Sequence, residues 1–157
     1  HDLGKGETPA AVLPRHIGHE QRSVDLVRGL CARLRAGADY RDLALLVARY
    51  HGQTHRAAEV RPATLWELLH HVDAWRRPQR FEQFLLACQA DAQGRTGMEE
   101  KPYPQADFLR RARAAAAAVS TADLVAQGLT GQALGDRLRD LQIAALRHLP
   151  RPAVPAA

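Results

Sequence analysis

The chain has 157 residues, 46% of them hydrophobic and 25% charged, which is the composition of an ordinary globular protein with enough chain for one packed domain. Its formal net charge is +5, and all but two of its 22 basic residues are arginines, the exceptions being Lys5 and Lys101. No stretch offers the roughly 18 to 20 apolar residues of a membrane span, and nothing at the start has a signal-peptide pattern, so the sequence reads as cytoplasmic with no membrane partner.

In chain order the pattern predicts helix after helix, with Gly and Pro at the joints and no sustained period-two alternation. Val24, Val27, Cys31 and Leu34 recur at three- and four-residue steps over about His16 to Leu34, and Gly37 is expected to stop that helix. "DYRDLALLVARYHGQTH" puts Leu43, Val47 and Tyr50 on one stripe, with His51 beside it; His55, after a break expected at Gly52, is read as facing solvent. "RPATLWELLHHVDAWRRP" has a capping-box spacing from Thr64 to Glu67 and ends at Pro78. Pro78 opens "QRFEQFLLACQADAQGR", expected to be buried nearly all round at its centre, with Asp91 near core depth. An Ala-rich helix over about Gln105 to Val119 follows, then a short one capped by Ser120 and ending at Gly128. The last helix, about Gly131 to His148, carries Leu134, Leu138, Leu141 and Ala145 on one face. The expected fold class is an all-α bundle of about seven or eight helices over residues 1–149, with a flexible Pro-rich tail over 150–157. Cys31 and Cys88 read as reduced core thiols.

Chemistry is concentrated in the histidines and two acids. His1 and Asp2 offer an imidazole and a carboxylate from one helical turn, and Asp91 arrives from a separate apolar helix. His16 and His19 are three apart, and His51 and His55 four apart, each a spacing that shares a helix face. His and Asp ligands from several helices meeting in a bundle interior suit first-row transition ions, and imidazole favours Mn, Fe, Co, Ni or Zn over Mg. Such an ion activates water toward phosphorus. Lys5 and Arg95 would hold phosphate oxygens, Arg95 being placed four residues after Asp91 on the same helical face. Adjacent His70 and His71 point in different directions on a helix and are left out of the set. The arginine excess favours a phosphate-bearing partner, although codon bias is the stronger explanation for most of these arginines.

"HDLGKG" followed by "HIGHE" resembles the signature of the HD-domain metal phosphohydrolases. The longer strings "HDLGKGETPAAVLPRHIGHEQRSVDLV", "DAWRRPQRFEQFLLACQADAQGRTG" and "YPQADFL", in that order, resemble the C-terminal HD domain of bacterial multifunctional CCA-adding tRNA nucleotidyltransferases, from His1 to about Leu149. The resemblance implies a metal-dependent 2′,3′-cyclic phosphodiesterase, 2′-nucleotidase and phosphatase acting on nucleotides or tRNA ends, with nickel as the first candidate ion and Mn, Co or Zn as others. It maps metal ligands onto His1, Asp2, His19 and Asp91, gives His51 a role at a second metal, and makes Asp2 and Lys5 the catalytic candidates. It also implies a further histidine ligand on a helix upstream of His1, and a nucleotidyltransferase head using magnesium, so this chain is expected to be a piece of a longer protein. A homodimer is compatible with the family. The competing expectation is a non-catalytic helical module for tRNA binding or dimerisation with a vestigial metal site.

Overall fold

The computed structural model describes residues 1–153, and among them it contains seven α-helices and no strand. They are α1 (His19–Arg33), α2 (Ala38–His55), α3 (Pro62–His71), α4 (Pro78–Gln93), α5 (Pro104–Ala117), α6 (Thr121–Ala126) and α7 (Gly131–Arg147), preceded by single 3-10 turns at Leu3–Lys5 and Ala10–Val12. The all-α expectation holds, with the helix count at its lower bound.

Prolines set three of the starts. Pro62, Pro78 and Pro104 each occupy the first turn of a helix, where the missing N–H would have had no partner and the fixed φ is already helical. Helix α3 therefore begins before Thr64, with Arg61 as its N-cap, and the capping box read from the sequence is not formed. Ser120 does cap α6, its Oγ accepting from the Asp123 amide at 3.2 Å. Helix α1 ends through Arg35, whose φ of 51° lets the Ala36 amide reach the Cys31 carbonyl at 2.9 Å. Gly37, at φ −58°, instead starts α2. Asp73 plays Arg35's part after α3, with φ 57° and a bond from the Ala74 amide to the Leu69 carbonyl at 3.0 Å.

The core lies among α2, α3, α4, α5 and α7, where Leu65, Leu68 and Leu69 meet Phe81, Phe84, Leu85, Phe108 and Leu146. Each such side chain contributes about 1.5 to 3 kcal/mol of burial. On α5, Ala112 and Ala116 are fully buried, so the alanine run permits close approach to neighbouring helices. Helix α4 is not buried all round, because Leu86 is 65% exposed while Phe84, Leu85 and Cys88 are enclosed; one stripe was enough to fill the core. Burial pushes the Cys88 thiol up to about 12, as expected of an inert thiol, whereas Cys31 is only half-buried.

Helix α2 packs between α1 and α4, while α3 and α5 both pack on α7. This order brings the start of α1 and the ends of α2 and α4 toward one corner. At the other end of the chain Leu149 packs against the core and Arg151 donates to the Ala58 carbonyl at 2.5 Å. The remainder of the expected Pro-rich tail, 154–157, lies outside the described residues. None of the described helices is long and apolar enough to cross a membrane.

Candidate metal centre

The first residues are laid against α1 by a small set of polar contacts. The Gly4 amide donates to Ser23 Oγ at 2.9 Å, and Arg22 Nε donates to the Gly4 carbonyl at 3.1 Å. The same guanidinium reaches the Ile17 carbonyl at 3.1 Å and Thr8 Oγ1 at 3.2 Å. A Cβ at Gly4 would stand 2.3 Å from the His19 carbonyl oxygen, so only glycine lets the turn come this close. His1 and Asp2 precede this 3-10 turn rather than belonging to an α-helical turn, and the docking aims both side chains at the ends of α2 and α4. His16 also lies before α1, where Thr8 Oγ1 meets its Nδ1 at 2.8 Å, so it does not share a helix face with His19.

Asp2 Oδ1, His19 Nε2 and His51 Nε2 form a nearly equilateral triangle. The oxygen is 3.3 Å from His19 and 3.4 Å from His51, and the two nitrogens are 3.4 Å apart. His19 Nδ1–H donates to the His16 carbonyl at 2.8 Å and His51 Nδ1–H donates to the Val47 carbonyl at 2.9 Å. With these protons placed, both Nε2 atoms carry lone pairs directed toward the carboxylate. Asp2 Oδ1 is itself buried without a hydrogen-bond partner. Three electron-pair donors facing one another repel unless a cation lies among them. Donors about 2.0 to 2.2 Å from one ion stand about 3.0 to 3.5 Å from each other, so the spacing fits a first-row transition ion.

A second group adjoins the first through the other oxygen of Asp2. His1 Nε2 lies 3.3 Å from Asp2 Oδ2 and 3.2 Å from Asp91 Oδ1, and its ring sits edge-on to His51 with centroids 4.6 Å apart. Lys5 Nζ donates to Asp2 Oδ2 at 2.6 Å. Burial opposes ionisation of Asp2, yet the Lys5 hydrogen bond and charge, with help from His51 and His19, outweigh it and hold the carboxyl below its usual value. For His51, loss of water on burial dominates over the attraction of Asp2 and Asp91, and its pKa falls below the ordinary imidazole value. Both shifts favour the ligand forms, carboxylate and neutral imidazole.

Relatives of this chain share most of its length. It is 60% identical over 149 residues to the multifunctional CCA protein of Thioalkalivibrio sulfidiphilus, covering 95% of this chain and 36% of that protein. Similar matches run to the multifunctional CCA proteins of Nitrosococcus oceani, 56% identical over 94% of this chain, and Hahella chejuensis, 50% identical over all of it. The chain is a homologue of part of the multifunctional CCA proteins. It spans 36 to 37% of the length of these three relatives. No family model matches it, and no solved structure does. The resemblance to the multifunctional CCA proteins read from its motifs is thereby borne out.

In this CCA-protein homologue the structure brings His1, Asp2, Lys5, His19, His51 and Asp91 to one corner. It also adds His55, which was expected to face solvent: its Nε2 is 2.8 Å from Asp91 Oδ2. Helix α2 runs unbroken through Gly52, so the four-residue spacing from His51 keeps its meaning. Arg95 differs in the opposite sense. Helix α4 ends at Gln93 with Gly94 as its cap, so Arg95 lies in the following bend and is not a helical neighbour of Asp91. Arg22 and Ser23, which hold the first turn in place, carried no sequence signal beyond their position just after "GHE".

Proposed function

We propose that the chain is a metal-dependent phosphohydrolase domain, acting as a 2′,3′-cyclic phosphodiesterase, 2′-nucleotidase and phosphatase within a protein that synthesises and repairs tRNA 3′ ends. The observation that carries this reading is the triangle of Asp2 Oδ1, His19 Nε2 and His51 Nε2, three donor atoms at ligand spacing. These residues would hold the ion, with His1 and Asp91 beside them, and their mixed nitrogen and oxygen donors suit nickel, cobalt, manganese or zinc. When bound, such an ion polarises a phosphoryl oxygen and makes water nucleophilic near neutral pH.

The chain's own groups do the rest. Lys5 keeps Asp2 ionised through its bond to Oδ2, and its 37% exposed side chain leaves the ammonium within reach of a phosphate oxygen. The His16 and Val47 carbonyls fix the tautomers of His19 and His51, so that each presents Nε2 without rearrangement. The kinship with proteins named for CCA supports RNA 3′ ends as the substrate class. The intact protein with Ni²⁺ or Co²⁺ is expected to open 2′,3′-cyclic AMP and to release phosphate from 2′-AMP. Asp2→Ala should reduce both rates to background with an unchanged helical circular dichroism spectrum; activity retained in that variant would overturn the assignment.

A further inference from the structure

We infer that Tyr103 and His55 form a positioning relay that turns Asp91 so that one of its carboxylate oxygens is anchored and the other is left to face His1, a role that rests on the metal-centre reading above. His55 is the last residue of α2 and Tyr103 the residue before α5, so the relay joins the ends of three helices around Asp91 of α4. Gln105 Nε2 donates to the His55 carbonyl at 3.1 Å, which fixes the backbone from which the imidazole projects.

Distances separate this role from that of a ligand. His55 Nε2 is 2.8 Å from Asp91 Oδ2, a charge-assisted hydrogen-bond length with a proton in between. The donor pairs of the triangle are 3.3 to 3.4 Å apart and hold no such proton. The other ring nitrogen, Nδ1, is 2.9 Å from the Tyr103 hydroxyl. Burial raises the Tyr103 pKa, with the nearby Cys88 and Asp91 acting in the same direction, so the phenol keeps its proton; because a carboxylate oxygen only accepts, Nε2 carries the ring proton at the Asp91 contact and the phenol donates to Nδ1. That bond holds the Nε2–H tautomer, which donates to Asp91. Both ring nitrogens are then engaged, and neither has a lone pair for an ion. Asp91 Oδ2 is occupied by this proton, while Oδ1 stays 3.2 Å from His1 Nε2.

The test combines metal titration with ring spectroscopy on the intact protein. Calorimetric titration with Co²⁺ alone should show His55→Leu weakening affinity by about 10- to 100-fold at unchanged stoichiometry, the range for loss of a group that orients a ligand. His55→Gln, whose amide can donate to Asp91 and accept from Tyr103, should stay near wild type, and Tyr103→Phe should lie between. Loss of one metal equivalent in His55→Leu would make His55 a ligand and overturn the relay; unchanged affinity in that variant would overturn it too. Nitrogen-15 spectra of the His55 ring, taken without metal, should show Nε2 protonated and Nδ1 bare, with this preference relaxed in Tyr103→Phe. The opposite tautomer would overturn the relay even if His55→Leu failed to fold. A wild-type protein that bound no Co²⁺ would sink the metal-centre reading and the relay's purpose with it, whereas normal wild-type binding beside an unaffected His55→Leu would sink the relay alone.

Discussion

Two groups of histidines in this molecule use opposite parts of the same ring. At the corner formed by the first turn, α1, α2 and α4, His1, His19, His51 and His55 meet edge to face, with interplanar angles of 62 to 78° between the paired rings, and present their nitrogens. On α3, His70 lies flat on Trp66 and His71 flat on Tyr50, each pair only 10° from parallel. In the first group His19 and His51 give Nδ1–H to backbone carbonyls and turn Nε2 toward Asp2, while His1 and His55 turn Nε2 toward Asp91. The second uses its π-faces to cover aromatic surface. Ring orientation, more than residue type, separates the candidate metal centre from the packing contacts on α3.

The largest way to break this contrast is to move the turn that supplies His1 and Asp2. Gly4→Ala forces a methyl group into the His19 carbonyl, 2.3 Å from where the Cβ must go, and that backbone cannot yield without shifting the start of α1. Stability should fall by about 1 to 3 kcal/mol, the usual range for an overpacked site. Co²⁺ affinity should fall beyond the roughly 100-fold expected from loss of an orienting group, since Asp2 and His19 are displaced together. Chemical denaturation and metal titration of the same variant check the two effects separately.

Acid is a gentler probe of the same corner. His51 titrates below its ordinary value of 6.5 because burial disfavours the imidazolium. Between the depressed folded value and the unfolded one, the unfolded chain binds more protons, so stability rises with pH across that window. In chelator, the ion-free protein should therefore lose stability as pH falls below about 6.5, and the loss should stop once the folded value is passed. His51→Gln should lack this component. Denaturation midpoints measured across the window, wild type against variant, decide it; parallel curves would show that His51 does not contribute.

How much of this was legible in the sequence depends on whether the signal was local. The stripe of Leu43, Val47 and Tyr50 on α2 and the proline start of α4 follow from periodicity and from φ restriction, which are properties of neighbouring residues. Asp91 and His51 could be picked from motif order, but their partners could not. From the sequence Gly52 reads as a break that turns His55 to solvent; in the folded chain Gly52 is helical, with Glu20 Oε1 standing 3.1 Å from where its Cβ would be. The four-residue spacing from Asp91 to Arg95 has meaning only on a helix that continues to Arg95, and α4 stops at Gln93. The stop of α1 at Arg35 instead of Gly37 needed a left-handed residue that no glycine advertised. Each miss concerns a contact or a helix end settled by tertiary packing, where local propensity is only a weak prior.

The smallest effect belongs to the stacked pair, and it tests the contrast from the other side. His70 sits 5.0 Å from the Trp66 centroid, and the same indole is covered on its surroundings by Arg139, whose guanidinium carbon is 5.1 Å from the ring. Trp66 Nε1 also donates to Gln142 Oε1 at 2.8 Å, so α3 and α7 stay joined when one stacking partner is lost. His70→Ala should therefore cost only about 0.5 to 1.5 kcal/mol, the worth of one aromatic pair beyond its area, and His71→Ala no more, since its stack on Tyr50 is longer at 5.6 Å. Neither histidine shares a hydrogen bond with the metal corner, so Co²⁺ affinity and phosphate release should match wild type in both. A loss of metal binding in either variant would mean that the two histidine groups are coupled through α2, whose Tyr50 stacks on His71 one residue before His51 turns its Nε2 toward Asp2.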